Sequence, residues 1–123
     1  MPDAAWHVAK ASRFETFLDA LSPIERQHPE WAVIVHFYTA LHYVDGFYAT
    51  KGHTRIAGHR RRRQLLPDFE EMRTIEGAYR LLEKASQEAR YEGAAFDGSH
   101  VERSKRFYVE VRTALRRALS LAP

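Results

Sequence analysis

The stretch PEWAVIVHFYTALHYVDGFYAT, residues 29–50, decides the fold. Most of its side chains are apolar, and at helical spacing they cover more than one face of a helix. Proline suits the first turn of a helix, so the pattern predicts one helix from Pro29 to about Thr50, ~32 Å long. A helix that is apolar most of the way round must be surrounded by neighbours. We therefore expect this helix to lie at the centre of the molecule.

The sequence on either side repeats apolar residues every three and four positions, as amphipathic helices do. It predicts four further helices, over residues 4–21, 59–66, 67–91 and about 100–121. Breaks are expected at Ser22-Pro23 and between Gly93 and Gly98. Ser99, with Glu102 three residues later, fits a capping box at a helix start. The predicted fold class is all-α, an up-and-down four-helix bundle with an additional short helix, and residues 1–123 form a single domain.

The apolar spacing also predicts which face of each outer helix is buried. In the first helix the expected inner residues are Trp6, Ala9, Phe14, Phe17, Leu18 and Leu21. In the helix over 67–91 they are Ile75, Tyr79, Leu82, Ser86 and Ala89, and in the last helix Tyr108, Val111, Leu115, Ala118 and Leu119. Phe107 and Val109 fall off that inner face, and exposed apolar groups often mark contact surfaces. We therefore expect a homodimer with the last helix at its interface.

Composition excludes several classes of protein. The chain has 123 residues and no cysteine, which rules out disulfide bonds, thiolate catalysis, iron–sulfur clusters and cysteine-ligated zinc. Its longest uncharged apolar stretch, Trp31 to Val44, has 14 residues, whereas a bilayer span takes ~20. Charged residues interrupt the N-terminal region, which therefore lacks the apolar core of a signal peptide. A cytoplasmic protein with no membrane partner is expected.

Positive charge is concentrated between Lys51 and Arg63, which we call the basic segment. It holds six basic residues and no acidic one, whereas the whole chain has a net charge of +3, which leaves −3 for the rest. Such a local field attracts polyanions, although a solubilising surface has the same composition. Arg60 and Arg63 share a helix face, so two or three of the four consecutive arginines can contact phosphate together.

Three clusters of polar residues are candidates for a functional site. The central helix carries His42 and Asp45, three residues apart and therefore on one face. The pair can ligate an ion, but a bundle metal site takes a second pair of ligands from a facing helix, and no such pair is evident. A hydrogen-bonded pair is favoured, and no metal or other cofactor is predicted. The other clusters are His59 with the arginines after it, and Arg90 with Tyr91 at a helix end.

Taken in order, these clusters resemble a HEPN domain (higher eukaryotes and prokaryotes nucleotide-binding), specifically the small bacterial HEPN-like proteins. The matching segments are EWAVIVHFYTALHYVDGFYATKG, HRRRRQLL and YRLLEKASQEARYEG, within residues 30–93. The resemblance implies a helical bundle that dimerises and binds RNA or a nucleotide. It also implies a place in a toxin–antitoxin or defence system, with an antitoxin or a nucleotidyltransferase-like protein as partner. Metal-independent RNA cleavage is common among such proteins.

The ribonuclease motif of that family is not matched in this chain. The motif has an arginine and then a histidine after four to six residues, whereas nine residues separate Arg90 from His100. Cleavage without metal needs a histidine for proton transfer and an arginine for phosphate charge, and Arg90 can meet His42 or His59 only across helices. The catalytic candidates are His42, Asp45 and Arg90. The nucleic-acid-binding candidates are His59, Arg60, Arg62, Arg63 and Tyr91.

Two other classes of function stay open. One is a metal-dependent bundle enzyme that uses residues from the set His36, His42, Asp45, His53 and His59. The other is a non-catalytic dimeric interaction module. No glycine-rich phosphate loop and no serine in an elbow-like glycine context is present to suggest another enzyme class.

Overall fold

The computed structural model describes residues 2–21, 27–91 and 95–123, and all regular secondary structure in these ranges is helical. The helices are α1 (Ala4–Leu21), α2 (Pro29–Thr50), α3 (Gly58–Leu65), α4 (Glu70–Arg73), α5 (Glu76–Tyr91) and α6 (Gly98–Ala118), with a 3₁₀ turn at Leu66–Asp68. The prediction of an all-α protein is confirmed. Within the described ranges, no helix is both long enough and apolar enough to span a bilayer.

Helix α2 lies at the centre, because α1, α5 and α6 all pack against it. Its Phe37, Tyr43 and Tyr48 side chains are fully buried. The bounds Pro29–Thr50 and the central position agree with the prediction from the sequence. Trp31 is an exception to the burial of the apolar residues of this helix, since it is 54% exposed.

Helix α1 has the predicted bounds, but its predicted inner face is buried only in part. Trp6 and Phe17, expected inside, are 49% and 48% exposed. The buried residues of α1 are His7, Ala11 and Leu21, of which Leu21 was predicted. Apolar residues are spread around this helix, so its sequence leaves the inward direction undetermined. The expected helix end at Ser22 and Pro23 lies outside the described residues, as does Gly93.

Gly46 of α2 lies against the first turn of α1. A Cβ atom at Gly46 would lie 3.4 Å from the Cβ of His7 and 3.6 Å from the carbonyl oxygen of Ala4, which are ordinary van der Waals distances. The first turn of α1 therefore packs directly on α2 at this position. This packing brings His7 against the central helix.

The helix predicted from Pro67 to Tyr91 is interrupted twice. Phe69 has an extended backbone, with φ −127° and ψ 132°, between the 3₁₀ turn and α4. A second break, at Thr74 and Ile75, separates α4 from α5. The Phe69 ring packs against aromatic rings of α2, and this tertiary contact outweighs the local helical pattern. The predicted inner residues Ile75, Tyr79, Leu82 and Ser86 are buried as expected, and Ala89 is half-buried.

Helix α6 begins earlier than predicted and has a different cap. The Asp97 carboxylate accepts hydrogen bonds from the backbone of Ser99 at 2.9 Å and of His100 at 3.3 Å. The His100 ring in turn accepts from the Asp97 backbone at 3.1 Å, which completes a capping box. Hydrogen bonds from Ser99 and then His100 lower the pKa of Asp97 to about 2. The expected Ser99–Glu102 box is therefore wrong, because aspartate occupies the N-cap two residues earlier.

Candidate functional site

Arg62 ties the basic segment to the core. Its Nε donates to one carboxylate oxygen of Asp45 at 2.8 Å, and its Nη2 donates to the other at 2.9 Å. The Arg62 side chain is 13% exposed and that of Asp45 is 8% exposed. The Tyr48 hydroxyl also donates to the Arg62 carbonyl at 3.0 Å. Arg62, predicted as a nucleic-acid contact, thus has its guanidinium in a buried two-point ion pair with Asp45.

Arg63 makes a similar inward contact with α5. Its guanidinium donates to the carboxylate of Glu83, which is 10% exposed, whereas the Arg63 side chain is 37% exposed. The two ion pairs thus hold α3 between α2 and α5. Arg60 and Arg61 are exposed, and neither forms an ion pair within the described ranges. Of the four consecutive arginines, Arg60 and Arg61 therefore present their positive charges to solvent without a carboxylate partner among the described residues.

A cleft of about 440 Å³ lies between the start of α1, the middle of α2 and the loop after α2. We call it the histidine cleft, and its polar and aromatic lining includes Trp6, His7, His42, Asp45, His53 and Arg62. It is built by the packing of α1 against Gly46 and by the ion pair that anchors α3. The candidates His42, Asp45 and Arg62 therefore meet here, although they were predicted in different roles.

The two histidines of the cleft are bonded to each other. The Nδ1 atoms of His7 and His42 lie 3.1 Å apart, so one donates a hydrogen bond and the other accepts it. Burial, followed by the nearby His7, lowers the pKa of His42 to about 4 despite the opposing charge of Asp45. Burial likewise lowers the pKa of His7. The pair is therefore uncharged at neutral pH. In place of the expected His42–Asp45 hydrogen bond, His42 bonds to His7, and Asp45 accepts hydrogen bonds from Arg62.

Arg90 and His42 have separate partners. Arg90 donates to the Tyr38 hydroxyl and, at 3.4 Å, to the Ser86 carbonyl. Its guanidinium lies 4.8 Å from the Tyr91 ring, and Tyr91 is 73% exposed. Arg90 thus connects the end of α5 to Tyr38 of α2, which lies one helical turn before His42. Tyr91 keeps an accessible ring surface.

His59, predicted as a nucleic-acid contact, is half-buried at the start of α3. Its ring packs 5.5 Å from that of Phe37, and its Nδ1 is buried with no hydrogen-bond partner in the described structure. Burial lowers the pKa of His59, and the charges of Arg62, Arg90 and Arg63 act in the same direction against that of Glu83. The His59 ring is therefore less readily protonated than a free histidine.

A carboxylate that the sequence analysis did not single out joins three helices. Glu15 of α1 accepts hydrogen bonds from Tyr43 of α2 at 3.0 Å and from Tyr108 and Arg112 of α6. Arg116 also donates to the Tyr43 hydroxyl at 2.8 Å. We call these residues the Glu15 centre. Its members are far apart in sequence, so no local motif could have identified them.

The metal hypothesis gains no support from the described part of the chain. No group of three or more histidine, aspartate or glutamate side chains there could hold a metal ion. His36, one of the suggested ligands, instead bonds through Nδ1 to the Ser104 hydroxyl at 2.8 Å. Its ring stacks on that of Tyr108, and burial together with Lys105 lowers the pKa of His36 to about 4. His36 is therefore a structural residue between α2 and α6.

Together these observations define an all-helical protein with a histidine-lined cleft beside a basic, internally braced short helix. Comparison of the chain with protein-family models, with curated proteins and with solved structures finds no match. The resemblance to HEPN domains therefore stays a prediction.

Proposed function

We propose that this chain is a HEPN-like module that binds RNA or a nucleotide, built as an up-and-down four-helix bundle with α3 as the additional short helix. The observation that carries the proposal is the arrangement of the four consecutive arginines. Arg62 and Arg63 are fixed inward by Asp45 and Glu83, while Arg60 and Arg61 point outward. A cytoplasmic toxin–antitoxin or defence system, with an antitoxin or nucleotidyltransferase-like partner, is the context that the resemblance implies.

The inward ion pairs support binding because they hold α3 in place before any ligand arrives. A preorganised surface loses less conformational entropy on binding than a flexible one. The segment around α3 also concentrates positive charge in a chain that is otherwise negative, which steers polyanions to it. Tyr91, with its exposed ring, offers a second contact on which an unpaired base can stack.

The site favours binding over metal-independent RNA cleavage. A general base works best when its pKa is near the working pH, whereas the pKa of His42 is about 4. Asp45 is bonded to Arg62, and Arg90 is bonded to Tyr38. The three catalytic candidates thus have internal partners and do not converge on one reacting atom.

The exposed arginines are expected to set the salt dependence of RNA binding. Each phosphate neutralised on a single strand contributes a slope of about −0.7 to a plot of log affinity against log salt concentration. Replacing Arg60 and Arg61 with glutamine should flatten that slope by up to about 1.4 units. Fluorescence anisotropy of a labelled single-stranded RNA over a series of NaCl concentrations measures the slope.

The matched control replaces Arg103 and Arg106 of α6, both exposed, with glutamine. This variant has the same net charge as the first but keeps the basic segment, so its slope should equal that of the unmodified protein. The same slope for all three proteins contradicts the proposal. So does a failure to bind RNA at low salt.

Dimerisation through α6 is a second candidate function, favoured by Val109, which is 45% exposed on that helix. Phe107, also expected to be exposed, is instead half-buried against the core.

Light scattering is expected to give twice the 14.3 kDa chain mass, and Val109→Lys should shift the protein toward the monomer. Ser12→Lys, which makes the same change of charge at an exposed position on α1, serves as the control. A monomer at high micromolar concentration contradicts the dimer.

A further inference from the structure

Helix α1 carries aromatic rings and positive charges along one side. Trp6, Lys10, Arg13 and Phe17 follow one another at intervals of four, three and four residues. At about 100° per residue, these positions lie within about 60° of each other around the helix. At ~1.5 Å per residue, they extend over about 16 Å of its length. We call these four residues the α1 stripe.

The two aromatic residues of the α1 stripe are open to solvent. Trp6 is 49% exposed and Phe17 is 48% exposed, and Arg13 between them is also exposed. Rings of this size are mostly buried in folded proteins. The one acidic residue in the sequence between Trp6 and Phe17 is Glu15, whose carboxylate is turned inward to the Glu15 centre. The stripe therefore presents aromatic rings and positive charge without a carboxylate of its own.

Lys10 is held beside the rings on which a ligand would stack. Its ammonium nitrogen lies 5.9 Å from the centre of the Trp6 ring and 5.7 Å from that of the half-buried Phe14 ring. A lysine within ~6 Å of an aromatic ring is attracted to the ring face. The Trp6 and Phe14 rings in turn pack on His42 of α2, with ring centres 5.9 Å and 5.5 Å away. The positions of Trp6 and Lys10 are thus fixed by contacts within the protein.

We propose that the α1 stripe binds single-stranded RNA, with unpaired bases stacked on Trp6 and Phe17 and with phosphates bound by Lys10 and Arg13. This inference rests on the proposed function, because it names the form of RNA that is bound and a second surface that binds it. Proteins that bind single strands combine positive charge, which follows the backbone, with aromatic rings on which the bases stack. In a duplex the bases stack on each other, so the stripe favours single strands.

The α1 stripe begins beside the basic segment. Trp6 lines the histidine cleft together with Arg55, which belongs to the loop between α2 and α3. Arg60 and Arg61 follow on α3. A single strand bound at these arginines can therefore cross the rim of the cleft and continue along α1.

Charge favours RNA over a second copy of the chain as the occupant of the stripe. A dimer with a two-fold axis brings the same surface of both copies together. If the axis passes through the middle of the stripe, Lys10 of one copy lies opposite Arg13 of the other. Like charges would then meet at the centre of the interface, whereas a phosphate backbone brings the opposite charge.

The test compares a labelled oligouridylate with an abasic ribose-phosphate oligomer of the same length and charge, by anisotropy at low salt. Trp6→Ala and Phe17→Ala should each weaken binding of the oligouridylate about tenfold, because each removes a stacking surface. Neither should change the affinity for the abasic oligomer. Leu81→Ala, at a position of α5 that is 43% exposed, is the matched control and should change neither affinity.

Two further measurements test the roles of charge and of stacking separately. Replacing Lys10 and Arg13 with glutamine should weaken binding of both oligomers and flatten the salt slope by up to about 1.4 units. Trp31→Phe leaves Trp6 as the single tryptophan of the chain. In that variant the oligouridylate should quench the tryptophan fluorescence, and the abasic oligomer should not.

The outcomes separate this inference from the proposed function. Unchanged oligouridylate affinity in Trp6→Ala and Phe17→Ala overturns the stripe but leaves RNA binding by the basic segment intact. If these variants weaken binding while glutamine at Arg60 and Arg61 leaves the salt slope unchanged, the stripe stands and the role of the basic segment fails. If no RNA binds at low salt, both fail.

Light scattering of the same variants tests the alternative occupant. A dimer that becomes a monomer in Phe17→Ala would assign the face to a second copy and overturn its assignment to RNA. If Trp6→Ala does not fold, Phe17→Ala alone decides the affinity experiment.

Discussion

Replacing Arg62 with glutamine is expected to lower the free energy of unfolding by about 3 kcal/mol, because it leaves the buried carboxylate of Asp45 without its cation. Removing one partner of a buried ion pair typically costs ~3–5 kcal/mol, and the 13% exposure of Arg62 places this pair at the lower end of that range. The loss includes part of the anchoring of α3, since Arg62 joins α3 to Asp45 of α2. Urea unfolding followed by circular dichroism measures the change.

Arg60→Gln is the matched control, because it removes the same charge two residues earlier at an exposed position. Surface substitutions of this kind usually change stability by less than ~0.5 kcal/mol. Asp45→Asn should also destabilise the protein, and the double variant with Arg62→Gln should lose less than the sum of the single losses by ~0.5–3 kcal/mol. Equal unfolding midpoints for Arg62→Gln and Arg60→Gln would show that the ion pair contributes nothing.

The internal ion pairs of Arg62 and Arg63 make these two residues unsuitable for a test of RNA binding. Since Arg62 and Arg63 both pair with internal carboxylates, replacing them alters the position of α3 as well as its charge. A loss of RNA affinity in such variants would then have two explanations. Arg60 and Arg61 avoid the difficulty, because both are exposed.

The sequence alone predicts the central helix well, because burial on all sides leaves a strong and local pattern. Pro29 and Thr50 are found at the predicted bounds of α2. The sequence also predicts where α1 begins and ends. It does not predict which face of α1 is buried, because Trp6 and Phe17 are strongly apolar and yet are exposed. That choice depends on how α1 packs against α2, and the apolar pattern of α1 alone does not determine this packing.

The sequence identifies several residues of the candidate site but not the hydrogen bonds and ion pairs that these residues form. His42, Asp45 and Arg62 were all identified from the sequence, and all three line the histidine cleft. Their partners were not identified, because a side chain in one helix can bond to any neighbour that the tertiary fold supplies. His7 is the clearest omission. It is one of seven histidines, and only the packing of α1 distinguishes it.

The break in the predicted helix from Pro67 to Tyr91 has a related cause. The local pattern is helical, but Phe69 packs its ring against Phe47 and Tyr48 and adopts an extended backbone. Tertiary packing of a large aromatic side chain therefore outweighs the small free-energy differences that set helix propensity.

Glu15→Gln is expected to lower the free energy of unfolding by about 2–3 kcal/mol at pH 7, because a charged acceptor of hydrogen bonds from Tyr43, Tyr108 and Arg112 becomes a neutral one. Tyr43 is fully buried and Tyr108 is 7% exposed, so water does not replace the weakened bonds efficiently. The substitution keeps the size of the side chain, which limits the change to charge and hydrogen bonding.

The effect of Glu15→Gln should depend on pH in a defined direction. Burial opposes ionisation of Glu15, but hydrogen bonds from Tyr108, Arg112 and Tyr43 together hold the pKa of Glu15 below its usual value. A carboxylate whose pKa is lower in the folded state stabilises the protein above its unfolded pKa, and this stabilisation is lost as the pH falls through the folded pKa. The stability difference between the two proteins is therefore expected to be constant from pH 7 down to about pH 5.5 and to shrink below about pH 4.5.

Urea unfolding of both proteins between pH 7 and pH 3 measures this difference, with Glu110→Gln as the control. Glu110 lies on α6, two residues before Arg112, but is exposed. Its substitution should therefore change stability by less than ~0.5 kcal/mol at every pH. A difference between Glu15→Gln and the unmodified protein that persists unchanged at pH 3 would mean that the ionised carboxylate is not what stabilises the Glu15 centre. A shrinking difference identifies the charge of Glu15 as the link that holds α1, and with it His7, against α2 and α6.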